Sequence, residues 1–111
     1  MTEKLSEAQI QRAVFAEIAA RRMPGVEAWA VPNNRDARRT VGFRAGVSDV
    51  NAVHRGKFYA MELKKDGGRA SQEQLEFVAA INCAGGYAFV AEGRDQAIAC
   101  LEAWGLLRKI A

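Results

Sequence analysis

The sequence predicts an α/β domain in which helices flank a mixed β-sheet, with the element order α-β-β-β-α-β-α. Two observations indicate this class. Two serines, each followed three residues later by a glutamine, stand at the start of segments with a helical apolar period. Short runs rich in β-branched and aromatic residues, bounded by glycine or proline, lie between and after these segments. At 111 residues the chain is suited to one core, so we expect a single domain over residues 1–111.

The chain begins with a predicted helix and a predicted short strand. Ser6 and Gln9 have the capping-box spacing and are followed by apolar residues on one face, which predicts a helix near residues 6–22. The segment "VEAWAVP", residues 26–32, predicts the first strand. Residues 33–46 have no regular period, and we expect them to form a long basic loop.

The next two strands are predicted to form a hairpin. They are "VSDVNAV", residues 47–53, and "KFYAMELK", residues 57–64, separated by a turn that contains Gly56. If the turn centres on residues 55 and 56, Asp49 lies opposite Glu62, and a four-residue loop gives the same pairing. A three-residue loop with a bulge would shift this register by one residue.

A second capping box, Ser71 with Gln74, predicts an amphipathic helix that ends at Gly85-Gly86. The segment "YAFVAE" predicts the fourth strand, and we expect Asp95 to cap a last helix that runs through Leu107. Both tryptophans, Trp29 and Trp104, lie in apolar patterns and are expected in the core.

Charge and composition narrow the classes of function. The net charge is only +3, but four arginines fall in the predicted basic loop, at Arg35, Arg38, Arg39 and Arg44. Basic loops suit polyanions such as DNA, although a solvated loop without a partner accounts for the charges equally well. Two cysteines without metal-ligand spacing indicate neither a zinc site nor a disulfide framework. No apolar run approaches the roughly 18 residues of a membrane span and the N-terminus is too polar for a signal peptide, so we expect a cytoplasmic protein with no membrane partner.

The hairpin carries the residues that indicate chemistry. Because side chains alternate along a strand, Glu62 and Lys64 share one face, and the expected register places Asp49 beside them. Opposed carboxylates cost roughly 0.2–1 kcal/mol, and a cation between them removes the conflict. Oxygen ligands without a nearby histidine or thiol cluster favour Mg²⁺. The alternative interpretation is a salt-bridged surface strand.

In these motifs the sequence resembles the VRR-NUC branch of the PD-(D/E)xK nucleases. The resemblance covers nearly the whole chain and rests on a helix that bears Glu7, on Gly46-Val47-Ser48-Asp49, on Glu62-Leu63-Lys64 and on Gln74 opening the next helix. Ser48 stands where the family usually has proline. The resemblance implies a restriction-endonuclease-like core, α-β-β-β-α-β, here with an added C-terminal helix.

The resemblance also implies an activity, namely metal-dependent hydrolysis of DNA phosphodiester bonds. It implies that Asp49, Glu62 and Glu7 bind Mg²⁺ or Mn²⁺, that Lys64 lies beside the attacking water, and that Gln74 completes the site. From the residues alone, Glu7 could equally be a first-turn acid that the helix dipole favours, and Gln74 is a capping residue in either case.

The expected substrate is branched DNA such as a four-way (Holliday) junction, and we expect a homodimer. Stand-alone members of the family resemble bacterial and phage replication or repair enzymes, which implies a bacterial or phage origin and a role in DNA repair. The C-terminal stretch "AIACLEAWGLLRKI" carries more apolar residues than one core-facing stripe requires and would supply the dimer interface. Two alternatives stay open, which are a non-catalytic DNA-binding module on the same fold and a small scaffold protein.

Overall fold

The computed structural model describes residues 4–32 and 38–110. Within these residues the elements follow the predicted order, and the fold class is confirmed. They are α1 (Glu7–Arg21), β1 (Glu27–Ala30), β2 (Val50–His54), β3 (Lys57–Lys64), α2 (Gln72–Cys83), β4 (Tyr87–Glu92) and α3 (Gly93–Ala103). Both predicted capping boxes are present, since the side chains of Ser6 and Ser71 accept from the backbone N–H groups of Gln9 and Gln74.

The strands form one mixed sheet in the order β1-β2-β3-β4. β1 and β3 each pair antiparallel with β2, and β4 pairs parallel with β3. The parallel pair requires a crossover connection, which α2 provides. β2 and β3 each have a strand on both sides, and five consecutive residues of β3, Tyr59 to Leu63, are buried.

The hairpin has the predicted register. His54 pairs with Lys57 and Val50 pairs with Met61, so that Asp49, one residue before β2, continues the series opposite Glu62. The turn residues Arg55 and Gly56 both have positive φ angles, 52° and 77°, as a two-residue type I′ turn requires.

Helices cover both faces of the sheet. α1 and α3 pack on one face against alternate residues of β2, β3 and β4, which creates a core of Ile10, Val14, Ile18, Val50, Ala52, Tyr59, Met61, Leu63, Ala91, Ala97 and Leu101. Arg21 of α1 forms ion pairs with Glu17 and with Glu102 of α3, which ties the two helices together. α2 packs on β3 and β4 from the opposite face, the face that carries Glu62.

Three sequence predictions about the last helix and Trp29 differ from the structure. The prediction that Asp95 caps the last helix is wrong. β4 passes directly into α3, Glu92 is the N-cap, and the side chain of Gln96 accepts from the Glu92 N–H group. α3 also ends at Ala103 and not near Leu107, because Gly105 adopts a positive φ of 80°.

Trp29 is the third difference, because its side chain is 43% exposed and lies outside the core. It lies on the edge strand β1, on the face that α2 covers only at β3 and β4. Trp104, in contrast, packs against the core and its ring lies 5.3 Å from that of Tyr59.

The apolar residues near the C-terminus mostly belong to the core of the same chain. Leu101, Leu106 and Leu107 are buried and Ile98 is partly buried, whereas Ile110 is exposed. The surplus of apolar residues in this stretch therefore serves intramolecular packing and does not indicate a dimer interface. Among the described residues, no helix has the length and apolar character needed to cross a membrane.

Candidate active site

Glu62 is a buried carboxylate in the interior strand of the sheet. Glu62 pairs with Val90 on β4, and on its other side the register of the hairpin places Asp49 opposite it. The Glu62 side chain points to the face of the sheet that α2 covers. Only 2% of its surface is exposed. The side-chain amide of Gln74, in the first turn of α2, donates to Oε1 of Glu62 at 2.7 Å.

The side-chain amide of Gln74 makes two hydrogen bonds with different roles. Its oxygen accepts from the backbone N–H of Ser71, which closes the capping box, and its nitrogen donates to Glu62. The start of α2 is thereby connected to the buried carboxylate on β3. Sequence reasoning predicted the cap and proposed Gln74 for the site, and the structure brings Gln74 to the site through its contact with Glu62.

Asp49 is held at the sheet by backbone contacts. Its Oδ2 accepts from the N–H of Leu63 at 2.9 Å, so that the side chain takes the hydrogen bond that a strand neighbour would otherwise make. The preceding carbonyl, that of Ser48, accepts from the buried amide of Asn51 at 3.0 Å. These bonds fix the turn before β2 and explain why β2 begins at residue 50 and not at the predicted residue 47.

The pKa of Glu62 is raised to about 9, from an ordinary value of 4.5. Burial is the largest cause, and the hydrogen bonding and negative charge of Asp49 add to it. The Lys64 ammonium lowers the pKa, but by less. When both carboxylates are ionised, neither can donate to the other, and Oε2 of Glu62 is buried without a hydrogen-bond donor.

Lys64 and Glu7 lie at the edge of this pair. The Nζ of Lys64 is 4.0 Å from Oε1 of Glu7, and the Lys64 side chain is largely buried while that of Glu7 is half exposed. Glu7 is thus placed next to Lys64. Within the described chain there is no metal-binding cluster of three or more histidine, cysteine, aspartate or glutamate side chains. The role of Glu7 as a third metal ligand stays a prediction.

The residues present fit a hard divalent cation. A buried oxygen without a donor, next to a second carboxylate, is stabilised either by a proton or by a cation. Mg²⁺ commonly takes one or two protein carboxylates and keeps water or phosphate oxygens for its other positions. Asp49 and Glu62 would hold such an ion.

The predicted DNA-binding arginines fall into three groups. Arg38 and Arg44 line a cleft of about 380 Å³ that also contains Asp49 and Gln74. Arg39 is exposed and does not line this cleft. Arg35 lies outside the described residues.

Two solved structures show the same architecture. None of the protein-family models and none of the curated proteins matches the sequence. A structure named "VRR_NUC domain protein" aligns with 90% of this chain and 88% of its own, with a TM-score of 0.74 and 22% identity. The chain has the VRR_NUC fold. A second structure, named "VRR_NUC domain", aligns with 88% of this chain and 96% of its own, with a TM-score of 0.66 and 20% identity. The resemblance inferred from the motifs is therefore confirmed at the level of the fold.

Sequence reasoning missed one part of this candidate site, which is the apolar wall of the cleft. Val31, Pro32 and Phe43 form it, and Phe43 is 42% exposed. An aromatic residue next to an arginine in a segment without regular period, as in "GFRAG", was the available signal. Its meaning depended on the fold, which brings Phe43 to the same cleft as Val31 and Pro32.

Proposed function

We propose that the protein is a metal-dependent endodeoxyribonuclease that hydrolyses phosphodiester bonds in DNA, with Mg²⁺ or Mn²⁺ held by Asp49 and Glu62. The observation that carries the proposal is the buried carboxylate of Glu62, whose Oε2 has no donor beside a second carboxylate. A buried like-charge pair lowers stability and would gain nothing in a scaffold protein. Perturbed pairs of this kind are typical of catalytic sites.

The bound metal would act as a Lewis acid and would lower the pKa of a water molecule. Lys64 places a positive charge at the same edge, where it can stabilise the negative charge that grows on the phosphate in the transition state. Glu7 limits the positions that the Lys64 ammonium can take, and Gln74 fixes the orientation of Glu62. Each of these residues then has a task in hydrolysis.

The proposed substrate is branched DNA, including four-way junctions, and the proposed working unit is a homodimer in a cytoplasmic DNA-repair setting. Arg38 and Arg44 beside Asp49 support phosphate binding at the site. The names of the two similar structures support a nuclease on this fold. The symmetry of the substrate is the support for the proposed dimer, because the C-terminal apolar residues are mostly buried in their own chain and offer no interface.

A cleavage assay on a four-way junction, with Mg²⁺ or with EDTA, tests the proposal. We expect cleavage only with the metal, and a loss of at least about 10²-fold in Asp49→Asn, Glu62→Gln and Lys64→Ala. Lys65→Ala and Asp95→Asn are the controls, because both side chains are exposed and neither belongs to the proposed site. Metal-independent cleavage, or full activity of Asp49→Asn, would refute the assignment.

Metal binding can be measured separately from cleavage. Saturating Mg²⁺ should raise the Tm of the wild type by mass action, and it should not raise the Tm of Asp49→Asn. DNA binding without cleavage or a Tm shift would identify a non-catalytic binding module. The absence of both DNA binding and cleavage would identify a scaffold protein.

A further inference from the structure

The cleft beside Asp49 has two chemically different parts. One part of its lining is formed by Asp49 and Gln74 of the proposed active site. Another is the apolar wall of Val31, Pro32 and Phe43. A site that only bound the phosphate backbone would need positive charge and hydrogen-bond donors, and it would have no use for an exposed phenyl ring. The wall therefore indicates a ligand with an apolar surface as well as a phosphate.

Arg44 is held in place at this cleft. Its guanidinium carbon lies 5.6 Å from the ring centre of Phe77, which is buried, and one of its terminal nitrogens donates to the carbonyl of Ala45 at 3.2 Å. A guanidinium that rests on an aromatic ring presents its second flat face to the solvent or to a ligand. Arginine planes of this kind stack on nucleobases.

The size of the cleft limits which form of DNA can bind in it. A volume of about 380 Å³ lies near the lower end of the range for small-molecule sites, roughly 300–1,000 Å³. A cube of that volume is about 7 Å wide, whereas the major groove of a B-form duplex alone is about 12 Å wide. A paired duplex cannot enter, but a single nucleotide can.

We infer that this cleft binds one unpaired nucleotide of the DNA substrate. The base packs between the Phe43 wall and the flat face of Arg44, and Arg38 pairs with the adjoining phosphate. The inference rests on the proposed function and deepens it, because it explains a preference for branched DNA. Only at a branch or an end does a nucleotide leave the stack without the cost of unpairing a duplex. The nucleotide in the cleft then places a neighbouring phosphate near Asp49.

The test compares two DNAs of the same sequence that contain 2-aminopurine. In one, the fluorescent base is the first unpaired nucleotide of a flap, and in the other it is paired in a duplex. Ca²⁺ replaces Mg²⁺, and gel analysis verifies that the DNA stays intact. We expect wild type to bind the flap at least about 10-fold more tightly than the duplex, which corresponds to the stacking of one base, and to change the fluorescence of the flap only.

Two variants test the wall and the arginine separately. Phe43→Ala removes the ring, and Arg44→Lys keeps the charge but removes the flat face. Each should weaken flap binding about 10-fold, change duplex binding by less than about 2-fold and abolish the fluorescence change. Leu75→Ala and Arg12→Ala are the controls, since these exposed side chains do not line the cleft. Circular dichroism verifies that all four variants are folded.

The outcomes separate this inference from the proposed function. Equal binding of flap and duplex by wild type, or equal weakening of both by Phe43→Ala and Arg44→Lys, would overturn the inference. Base capture in a protein that shows no metal-dependent cleavage would support the inference and refute the nuclease. Metal-dependent cleavage without base capture would support the nuclease and refute the inference.

Discussion

Glu62 is the residue at which the proposed function and the stability of the fold conflict most directly. Its carboxylate is buried beside Asp49, and burial raises its pKa to about 9, well above 4.5. Because the folded pKa is the higher one, the stability that protonated Glu62 contributes is complete below about pH 4.5 and is lost as the pH rises through 9. Near neutral pH the metal-free protein must therefore either keep Glu62 protonated or bury its negative charge.

Glu62→Gln should therefore stabilise the metal-free protein while it abolishes cleavage. Glutamine keeps the oxygen that accepts from Gln74 and removes the charge. In EDTA at pH 8 we expect the Tm to rise by at least about 4 °C, the effect of about 1 kcal/mol in a domain of this size, and the gain to shrink toward pH 5. Thermal unfolding from pH 5 to pH 9 measures this. Glu76→Gln, an exposed change on α2, is the control, and a gain that does not depend on pH would contradict the explanation.

Gln74 offers a second test at the scale of one residue, because its amide oxygen and nitrogen have separate partners. Gln74→Glu keeps an oxygen that can accept from Ser71 N–H, but it replaces the donor to Glu62 by a carboxylate. We expect α2 to stay capped, the stability of the metal-free protein to fall, and cleavage to fall at least 10-fold, an order-of-magnitude expectation for a misplaced ligand.

The first capping box supplies the matched control for this change. Gln9→Glu alters the same position of the same motif in α1, where the hydrogen bond found for the side chain is the one that its Oε1 accepts from the Ser6 N–H. Its cleavage rate and helix content should match wild type, as measured by initial rates and circular dichroism. Equal losses in both variants would mean that capping, and not the contact with Glu62, explains the effect.

At the scale of elements, the turn before β2 packs directly on the start of α2. Gly46 has a φ of 78°, and a Cβ atom there would lie 2.3 Å from the carbonyl oxygen of Glu73. No real Cβ contact is that short, so any side chain would force the turn and the helix apart. Asp49 belongs to this turn and Gln74 to this helix, and one backbone contact therefore fixes the distance between two parts of the site.

Gly46→Ala should consequently damage both stability and activity. Gly42→Ala is a close control, because Gly42 has a φ of 86° but a Cβ atom there would meet nothing within 4 Å. We expect Gly42→Ala to cost about 1 kcal/mol for the left-handed backbone, and Gly46→Ala at least about 2 kcal/mol together with a loss of about 10²-fold in cleavage. Urea unfolding and initial rates measure both. Similar effects of the two substitutions would remove the contact from the explanation.

The elements that the sequence predicted well are those with local signals. The capping boxes at Ser6 and Ser71 mark helix starts, and a two-residue turn at Arg55-Gly56 fixes the hairpin register, so the pairing of Asp49 with Glu62 could be counted. The start of α3 could not be predicted, because β4 enters it without a loop.

Other features depend on tertiary packing and leave no local pattern. The exposure of Trp29 depends on which strands α2 covers, and the bond between Gln74 and Glu62 depends on where the crossover helix lies. The apolar wall at Phe43 depends on the path of an irregular loop. Motif spacing identifies which residues meet, but the burial that shifts the pKa of Glu62 follows from the complete fold.

At the scale of the whole molecule, one chain is small relative to a DNA branch. Its longest dimension is 45 Å, which equals about 13 base pairs at about 3.4 Å per pair. The candidate site contains one pair of carboxylates, Asp49 and Glu62. On the proposed function, each chain would cut one strand at a time, and symmetric cutting of a junction would require a second copy.

We predict that a homodimer makes paired cuts in a four-way junction. A junction can present two-fold symmetry, and a two-fold dimer is the commonest assembly that places two identical sites on such a substrate. In the absence of DNA, sedimentation at micromolar concentration should give a mass near twice the monomer mass of 12.1 kDa. A mixed dimer of wild-type and Glu62→Gln subunits, purified by two different tags, should nick one strand of the junction and leave the opposite strand intact. A Lys65→Ala subunit in place of Glu62→Gln should restore paired cuts, because the exposed Lys65 lies outside the site. A monomer that cuts junction and linear duplex at the same rate would refute the dimer, and the assignment of Asp49 and Glu62 would then rest on the metal-dependent assays alone.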